Sequence, residues 1–160
     1  MDGIRIRPAE RRDAPQINAA LRALSRTMGD THAADDRLIE RAGFGETPAF
    51  HALLAEQAGA VIGAALYSPL LSTTRGATGA HVSDLWVAAA LRGQGLGARL
   101  LAAVRDRAQA QWGAGFLRLA VYHDNHRAAA FYAGLGFLPA SAETTMTLQG
   151  AALAAIGEAP

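Results

Sequence analysis

Three glycines at alternate positions, Gly93, Gly95 and Gly97, carry the clearest chemical potential in the chain, with Arg92 just before them and Ala98 just after. Glycine has no Cβ, so backbone N–H groups in such a loop can approach a ligand closely. The run at 81–87 before the loop is β-like, and an amphipathic helical run follows it directly. A helix N-terminus adds unpaired N–H donors and a partial positive charge. Together these features make a cradle for a phosphate or pyrophosphate. A tight strand-to-helix turn without a ligand would account for a pair of glycines, but accounts less well for three behind an arginine.

Two nucleotide-binding motifs can be set against this loop. Gly93, Gly95 and Ala98 satisfy G-x-G-x-x-G/A. That dinucleotide fingerprint belongs to the first strand and helix of a large parallel sheet, with an acidic residue about 20 positions on. Here the loop lies past mid-chain, too little sequence follows for the remaining βαβ units, and Asp124 is only a loose match for the acid. A P-loop needs Lys-Ser or Lys-Thr after its last glycine, and Ala98-Arg99 stands there instead. His123 and His126 bracket Asp124 and Asn125. Polar side chains in a strand-to-helix turn are ordinarily solvated, so no metal is expected.

The composition narrows the class. The 160 residues fit one domain, and 51% hydrophobic residues can fill its core. The net charge of +1 comes with no basic run, so no nucleic-acid partner is expected. The chain has no cysteine, which excludes a disulfide framework, a thiolate zinc site and a cysteine nucleophile. That usage fits a reducing cytosol. Met1-Asp2-Gly3-Ile4-Arg5 contains no apolar signal core, and no apolar stretch is long enough for a membrane, so a cytoplasmic location is expected. The richness in Ala, Gly and Arg suggests a GC-rich bacterial genome.

The elements that must position the loop follow from periodicity. Residues 4–7 predict a strand. Asp13 is placed to cap a helix with Pro15 in its first turn, and Ile17, Ala20, Leu21 and Leu24 recur at helical spacing. A second helix is expected over 34–42, with Gly43 as its stop. Strands at 49–56 and 61–68 flank a hairpin turn, and the Ser/Thr/Gly-rich stretch at 69–79 predicts a loop. After the strand at 81–87, Leu96, Leu100, Leu101, Val104 and Ala108 fall on one helix face, which Gly113 and Gly115 close. A strand at 116–122, a helix at 127–133 and a last strand at 144–148 complete the order β-α-α-β-β-β-α-β-α-β. This describes one α/β domain over 1–156 with a loose tail at 157–160. Trp86 and Trp112 read as core or interface side chains.

Arg92-Gly93-Gln94-Gly95-Leu96-Gly97 resembles the R/Q-x-x-G-x-G/A signature of the GNAT superfamily of acetyl-CoA-dependent N-acetyltransferases. Asp84-Leu85-Trp86-Val87 resembles the strand that precedes it. Residues 119–137, with Asn125, Phe131, Tyr132 and Phe137, resemble the second signature, L-x-V-x-x-x-N-x-x-A-x-x-F-Y-x-x-x-G-F. Residues 4–9 with Asp13-Ala14 are similar to the family's N-termini. One departure is Ala89, which stands where the family often has proline. The resemblance implies a GNAT fold, a single mixed central sheet of about six to seven strands flanked by about four helices.

It also implies roles. The backbone of Arg92, Gly93, Gln94, Gly95, Leu96, Gly97 and Ala98 would bind the pyrophosphate of coenzyme A. Arg92 would add charge or only shape the loop. Leu85 and Val87, where the strand splays from its neighbour, would pair with the pantetheine amides, with Val87 N–H as the oxyanion donor. Asn125 would contact the cofactor arm, and it equally fits a helix N-cap. Tyr132 would contact the cofactor as general acid, since a phenol of pKa about 10 can protonate a thiolate. Its alternative is packing against Phe131 and Phe137.

The base is left between two residues. In a regular strand His81, Ser83, Leu85 and Val87 share one face, and Asp84 faces the other way. His81 then lies on the Val87 face, at a position similar to that of the base in relatives, and histidine is a side chain commonly used as a base near neutral pH. A solvent-facing strand-end histidine is the alternative. Asp84 resembles the acid of an E-D-x-x-V form found in some relatives, with Ser83 in place of the glutamate. Ser83 and Asp84 are expected to contact the substrate, and a bulge would carry Asp84 toward the site as a contact or water-relayed base. His32, Asp35, Asp36 and Glu40 lie in the helical excursion that forms one wall of the acceptor site in relatives. The expected reaction is direct attack of a small amine on acetyl-CoA in a ternary complex. The alternative is a non-catalytic acyl-CoA-binding or regulatory module of the same fold. The resemblance leaves a homodimer open.

Overall fold

The computed structural model describes residues 3–140 and 145–157. They fall in two compact units, Met1–Tyr122 and His123–Pro160. The first holds β1 (Arg5–Pro8), α1 (Ala14–Met28), α2 (Asp36–Phe44), β2 (His51–Gln57), β3 (Ala60–Ser72), β4 (Ala77–Val87), α3 (Leu96–Trp112) and β5 (Leu117–Leu119). The second holds α4 (His126–Gly134) and α5 (Gly150–Ala154). The sheet runs in the order β1-β2-β3-β4-β5. Its first four strands are antiparallel neighbours, and β5 joins β4 in parallel.

The mixed α/β sheet is as expected, with five strands rather than the larger number the resemblance implies. The last expected strand accounts for part of the difference. Residues 145–148 are irregular, and Thr144 lies outside the described residues, as do 158–160 of the expected tail. Met146 and Leu148 alternate with threonine but are exposed, so that β-propensity has no buried face to act on.

Both sheet faces are covered in the first unit. Ile17, Ala20 and Leu21 of α1 and Ile39 of α2 pack with Ala52, Leu54, Ala64 and Leu66 of the sheet. The other face meets α3, whose Leu96, Leu100, Leu101, Val104 and Ala108 are all buried. Each large apolar side chain so buried contributes about 1.5–3 kcal/mol. Gly63 permits this close approach, because a Cβ there would stand 3.0 Å from Leu100 Cδ1.

Several local expectations change. The stretch at 69–79 is a hairpin, with β3 reaching Ser72, β4 starting at Ala77, and Gly76 N–H donating to Thr73 O at 3.2 Å. Pro69 is tolerated in the strand for a clear reason. Ala80 N–H, opposite it, turns outward to Phe116 O, so the Pro69 nitrogen also points away from β4. It faces an edge that β2 no longer covers, since pairing with β2 stops at Tyr67. Asp13 does not cap α1. Its carboxylate takes two hydrogen bonds from Arg7, at 2.6 and 2.9 Å, and one from Glu10 N–H at 2.7 Å. Gly43 lies inside α2, which Gly45 ends instead, and its lack of a Cβ makes room for the Phe50 ring, which a Cβ would meet at 2.6 Å.

Candidate active site

The decisive irregularity is in β4. Leu66 of β3 pairs with Asp84 and its neighbour Tyr67 with Val82, which leaves Ser83 as an extra, exposed residue. This is a β-bulge. Residues directly opposite one another share a face of the sheet. Gly63 and Ala65 therefore stand with Val87 and Leu85 on the α3 face. Ala64, Leu66 and Ser68 stand with Trp86, Asp84 and His81 on the face packed by α1 and α2. This corrects the expectation from regular alternation. His81 shares its face with Asp84, not with Leu85 and Val87, because one inserted residue reverses the parity of everything before it. Both side chains are half-buried.

The same strand has an open edge. β5 pairs with β4 only at Ala80, His81 and Val82. Beyond them, among the described residues, no strand continues the ladder on that side. Ala88 N–H donates to Ile62 O at 2.9 Å, which extends the β3 ladder by one step. Alternation then turns the backbone groups of Leu85 and Val87 to the open edge.

The glycine loop grows from the end of this edge. A single 3₁₀ turn, Ala89–Leu91, leads into Gly93 and Gly95, at φ 78° and 81°. Side chains rarely tolerate that region. Gly95 is the N-cap of α3 and supplies no side-chain acceptor, and the first intrahelical bond runs from Arg99 N–H to Gly95 O at 3.1 Å. The N–H groups of Leu96, Gly97 and Ala98 thus have no acceptor within the helix. Nothing lies within 4 Å of where a Gly93 Cβ would be, so the loop is open to approach. Gln94 braces it by donating from Nε2 to Ala90 O at 3.0 Å. Arg92 donates from Nε to Val87 O at 3.0 Å and from Nη2 to Thr27 Oγ1 at 3.4 Å.

The α1–α2 region holds a buried polar chain that sequence reasoning only half identified. Asn18, 1% exposed, donates from Nδ2 to Asp36 Oδ1 at 2.6 Å. A carboxylate only accepts, so Asn18 Oδ1 must be the acceptor for His32 Nε2, 2.7 Å away. His32 therefore carries its hydrogen on Nε2, and Nδ1 faces Ser25 Oγ at 3.3 Å. The signal for Asn18 was its place beside Ile17 on an otherwise apolar stripe. The expected acidic wall is partly structural. Asp35 caps α2 through Leu38 N–H at 2.7 Å, and Glu40 pairs with Arg11 at 2.9 Å. A cavity of about 330 Å³ is lined by Asn18, Arg22, Asp35, Asp36 and Arg37. Neither the Arg22 nor the Arg37 guanidinium has a hydrogen-bond or ion-pair partner among the described residues.

In the second unit, Asn125 is the N-cap of α4, and its side chain accepts from Ala128 N–H at 3.1 Å. Tyr132 packs between Phe131 and Phe137, at ring-centroid distances of 5.1 and 5.6 Å. Burial pushes its phenol above the ordinary tyrosine value. Both alternatives raised by the sequence, capping and packing, are thus realised here.

A third cluster was not foreseen. His51 lies 5.5 Å from Tyr67 and 5.6 Å from Trp112, ring to ring, and Trp112 Nε1 donates to Gly79 O at 2.9 Å. Burial, and then the nearby Arg107, hold the His51 imidazole below its usual value.

Comparison with known proteins places this geometry. Residues 17–137 match the acetyltransferase (GNAT) family. The chain is 33% identical over 143 residues to the thialysine N-epsilon-acetyltransferase of Bos taurus, with 83% of each chain covered. It is 32% identical over 146 residues to that of Mus musculus, with 85% of each covered. An integron cassette protein from the mobile metagenome of V. cholerae shares the fold, with a TM-score of 0.82 at 18% identity over 99% of this chain and 100% of that one. The open β4 edge, the glycine loop and the α3 N-terminus therefore lie within the matched region, and the chain belongs to the acetyltransferase (GNAT) family.

Proposed function

We propose that this acetyltransferase moves the acetyl group of acetyl-CoA to an amine of a small acceptor, by direct attack in a ternary complex. One observation carries the reading: the β4 edge that β5 leaves unpaired runs straight into a glycine loop and an uncapped helix N-terminus.

The residues present fit the coenzyme. Gly93 and Gly95 at positive φ, with open space beside Gly93, let backbone donors from Gly93 to Ala98 surround a pyrophosphate, whereas Arg92 N–H already donates to Ala89 O at 3.3 Å. Leu85 and Val87 present edge N–H groups for the pantetheine amides, and Val87 N–H is the donor for the oxyanion. Acetyl-CoA supplies the activated thioester. Tyr132 holds a proton on its phenol oxygen, and its raised pKa keeps that proton in place at neutral pH, as an acid for the departing thiolate requires. Asn125 keeps the cofactor-arm role that the family resemblance gives it. An amine attacks only through its free lone pair, so a base must take its proton. His81 and Asp84, which the bulge brings to one face, are our two candidates for this base, and the exposed Ser83 beside them is our candidate substrate contact.

The acceptor is best read from two features. The relatives bear the name thialysine N-epsilon-acetyltransferase, which supports a side-chain amine on an amino acid. The cavity beside Asn18 holds Arg22 and Arg37 without partners, which supports a carboxylate on the same molecule. A thiol-release assay with acetyl-CoA tests both readings. Thialysine and lysine should outperform the matching amines that lack a carboxylate, and Arg22→Gln should narrow the gap. Failure to bind acetyl-CoA would sink the proposal, and binding without turnover of any amine would favour a non-catalytic acyl-CoA-binding module.

A further inference from the structure

We infer that Arg92 is a positioning residue, which stands in for the missing neighbour strand at the end of β4 and ties the last turn of α1 to it, rather than a ligand of the phosphate. Its catalytic consequence rests on the acetyltransferase reading, and its structural content does not.

Within a strand, the N–H and C=O of one residue point to the same edge. For Val87 that edge is the one β5 leaves open. An unanswered carbonyl there would be left as an unpaired acceptor at the strand end. Arg92 Nε occupies that carbonyl at 3.0 Å. The peptide unit joining Val87 to Ala88 is then held at both ends, by Arg92 at its oxygen and by Ile62 O at its N–H. Val87 N–H lies on the preceding peptide unit, one φ/ψ pair away, so holding this plane limits how far that donor can turn, and a preorganised donor of this kind stabilises developing charge.

The other arm of the guanidinium reaches Thr27. That hydroxyl spends its own hydrogen on Ala23 O at 3.0 Å, so it offers Arg92 Nη2 a lone pair. Two residues on, Gly29 ends α1, and Tyr122 Oη donates to Asp30 Oδ2 at 3.1 Å. The end of α1 is thus moored twice, once to the glycine loop and once to the segment after β5. One guanidinium serves both the strand end and the helix end, which a lysine ammonium on a flexible stem does not reproduce.

Arg92→Lys and Arg92→Ala separate this from phosphate binding. Both variants should lower kcat about tenfold, with KM for acetyl-CoA changed less than about twofold. The same loss should appear with an acetylated pantetheine that lacks the pyrophosphate. A phosphate ligand would give the opposite pattern: a raised KM in Arg92→Ala, rescue by lysine, and no effect on the pantetheine thioester. Amide hydrogen exchange provides a readout free of activity. Both variants should exchange faster at 24–30 and at 85–97, and Thr27→Val should do so at 24–30 alone. Unchanged exchange overturns the inference. Should no amine be acetylated, the functional proposal fails, and exchange still decides the role of Arg92.

Discussion

His81 and Asp84 stand on the same face of β4, although they are three residues apart and regular alternation would oppose them. Ser83, the unpaired residue between them, is the cause. The bulge assembles a histidine and a carboxylate where the bare strand would present only one.

That pairing can be read kinetically. His81→Ala and Asp84→Asn should each lower kcat/KM, the base by about a hundredfold and its partner by less. Only the variant that lacks the base should lose the acidic limb of the pH–rate profile. Deleting Ser83 restores plain alternation and returns His81 to the opposite face. A deletion variant with an unaltered circular dichroism spectrum and full activity would refute the importance of the bulge.

Tyr132→Phe keeps the ring that packs on Phe131 and Phe137 and removes only the hydroxyl. It should cost about a hundredfold in kcat with little change in melting temperature. The acid must be protonated, so wild-type turnover is lost as pH rises through a phenol pKa that burial has moved upward. In the phenylalanine variant that alkaline fall should vanish. Equal turnover of the two enzymes at every pH would remove Tyr132 from the mechanism.

Gly95→Ala places a Cβ on a residue at φ 81°. The strain is about 1–2 kcal/mol, equivalent to a melting-temperature loss of about 2–8 °C. The larger effect should be on KM for acetyl-CoA, because the substitution disturbs the turn that presents the α3 N-terminus. Calorimetry and steady-state kinetics on one preparation compare the two.

His51 should mark the pH dependence of stability. Burial holds its folded-state pKa below the unfolded value, so the unfolded chain binds more protons in that interval. The stabilisation is complete above about pH 6.5 and falls away as pH drops below it. Asp13 and Glu56 act lower. Hydrogen bonds from Arg7 depress both carboxylates, so their contribution is present above about pH 4 and lost as pH falls further. Urea midpoints measured between neutral and acid pH should show two separate declines, and His51→Phe should abolish the first alone.

The parts that could be read from sequence are those set by local rules. The buried face of α3 follows from spacing along one helix, and the glycine loop from residues that alone accept positive φ. The bulge could not be read, because it depends on which residue of β3 meets which residue of β4, and Ser83 bears no mark of it. Asp13 has the chemistry of a helix cap, yet Arg7 of β1 claims its carboxylate. Asn18 looks like a flaw in an apolar stripe until His32 and Asp36 arrive from beyond the helix. In each case a partner outside the element itself decided the outcome.

The β3–β4 ribbon beyond Tyr67 has a bearing on solubility. Where β2 stops, no strand among the described residues pairs with that side of β3, and Leu71 nearby is largely exposed. An uncovered strand of this sort recruits strands from other chains. Pro69 sits at the start of that stretch with no hydrogen to offer. Its chemistry is that of a gatekeeper against aggregation, and exchanging it for valine should raise self-association above that of the unaltered protein, as light scattering at matched concentration would show.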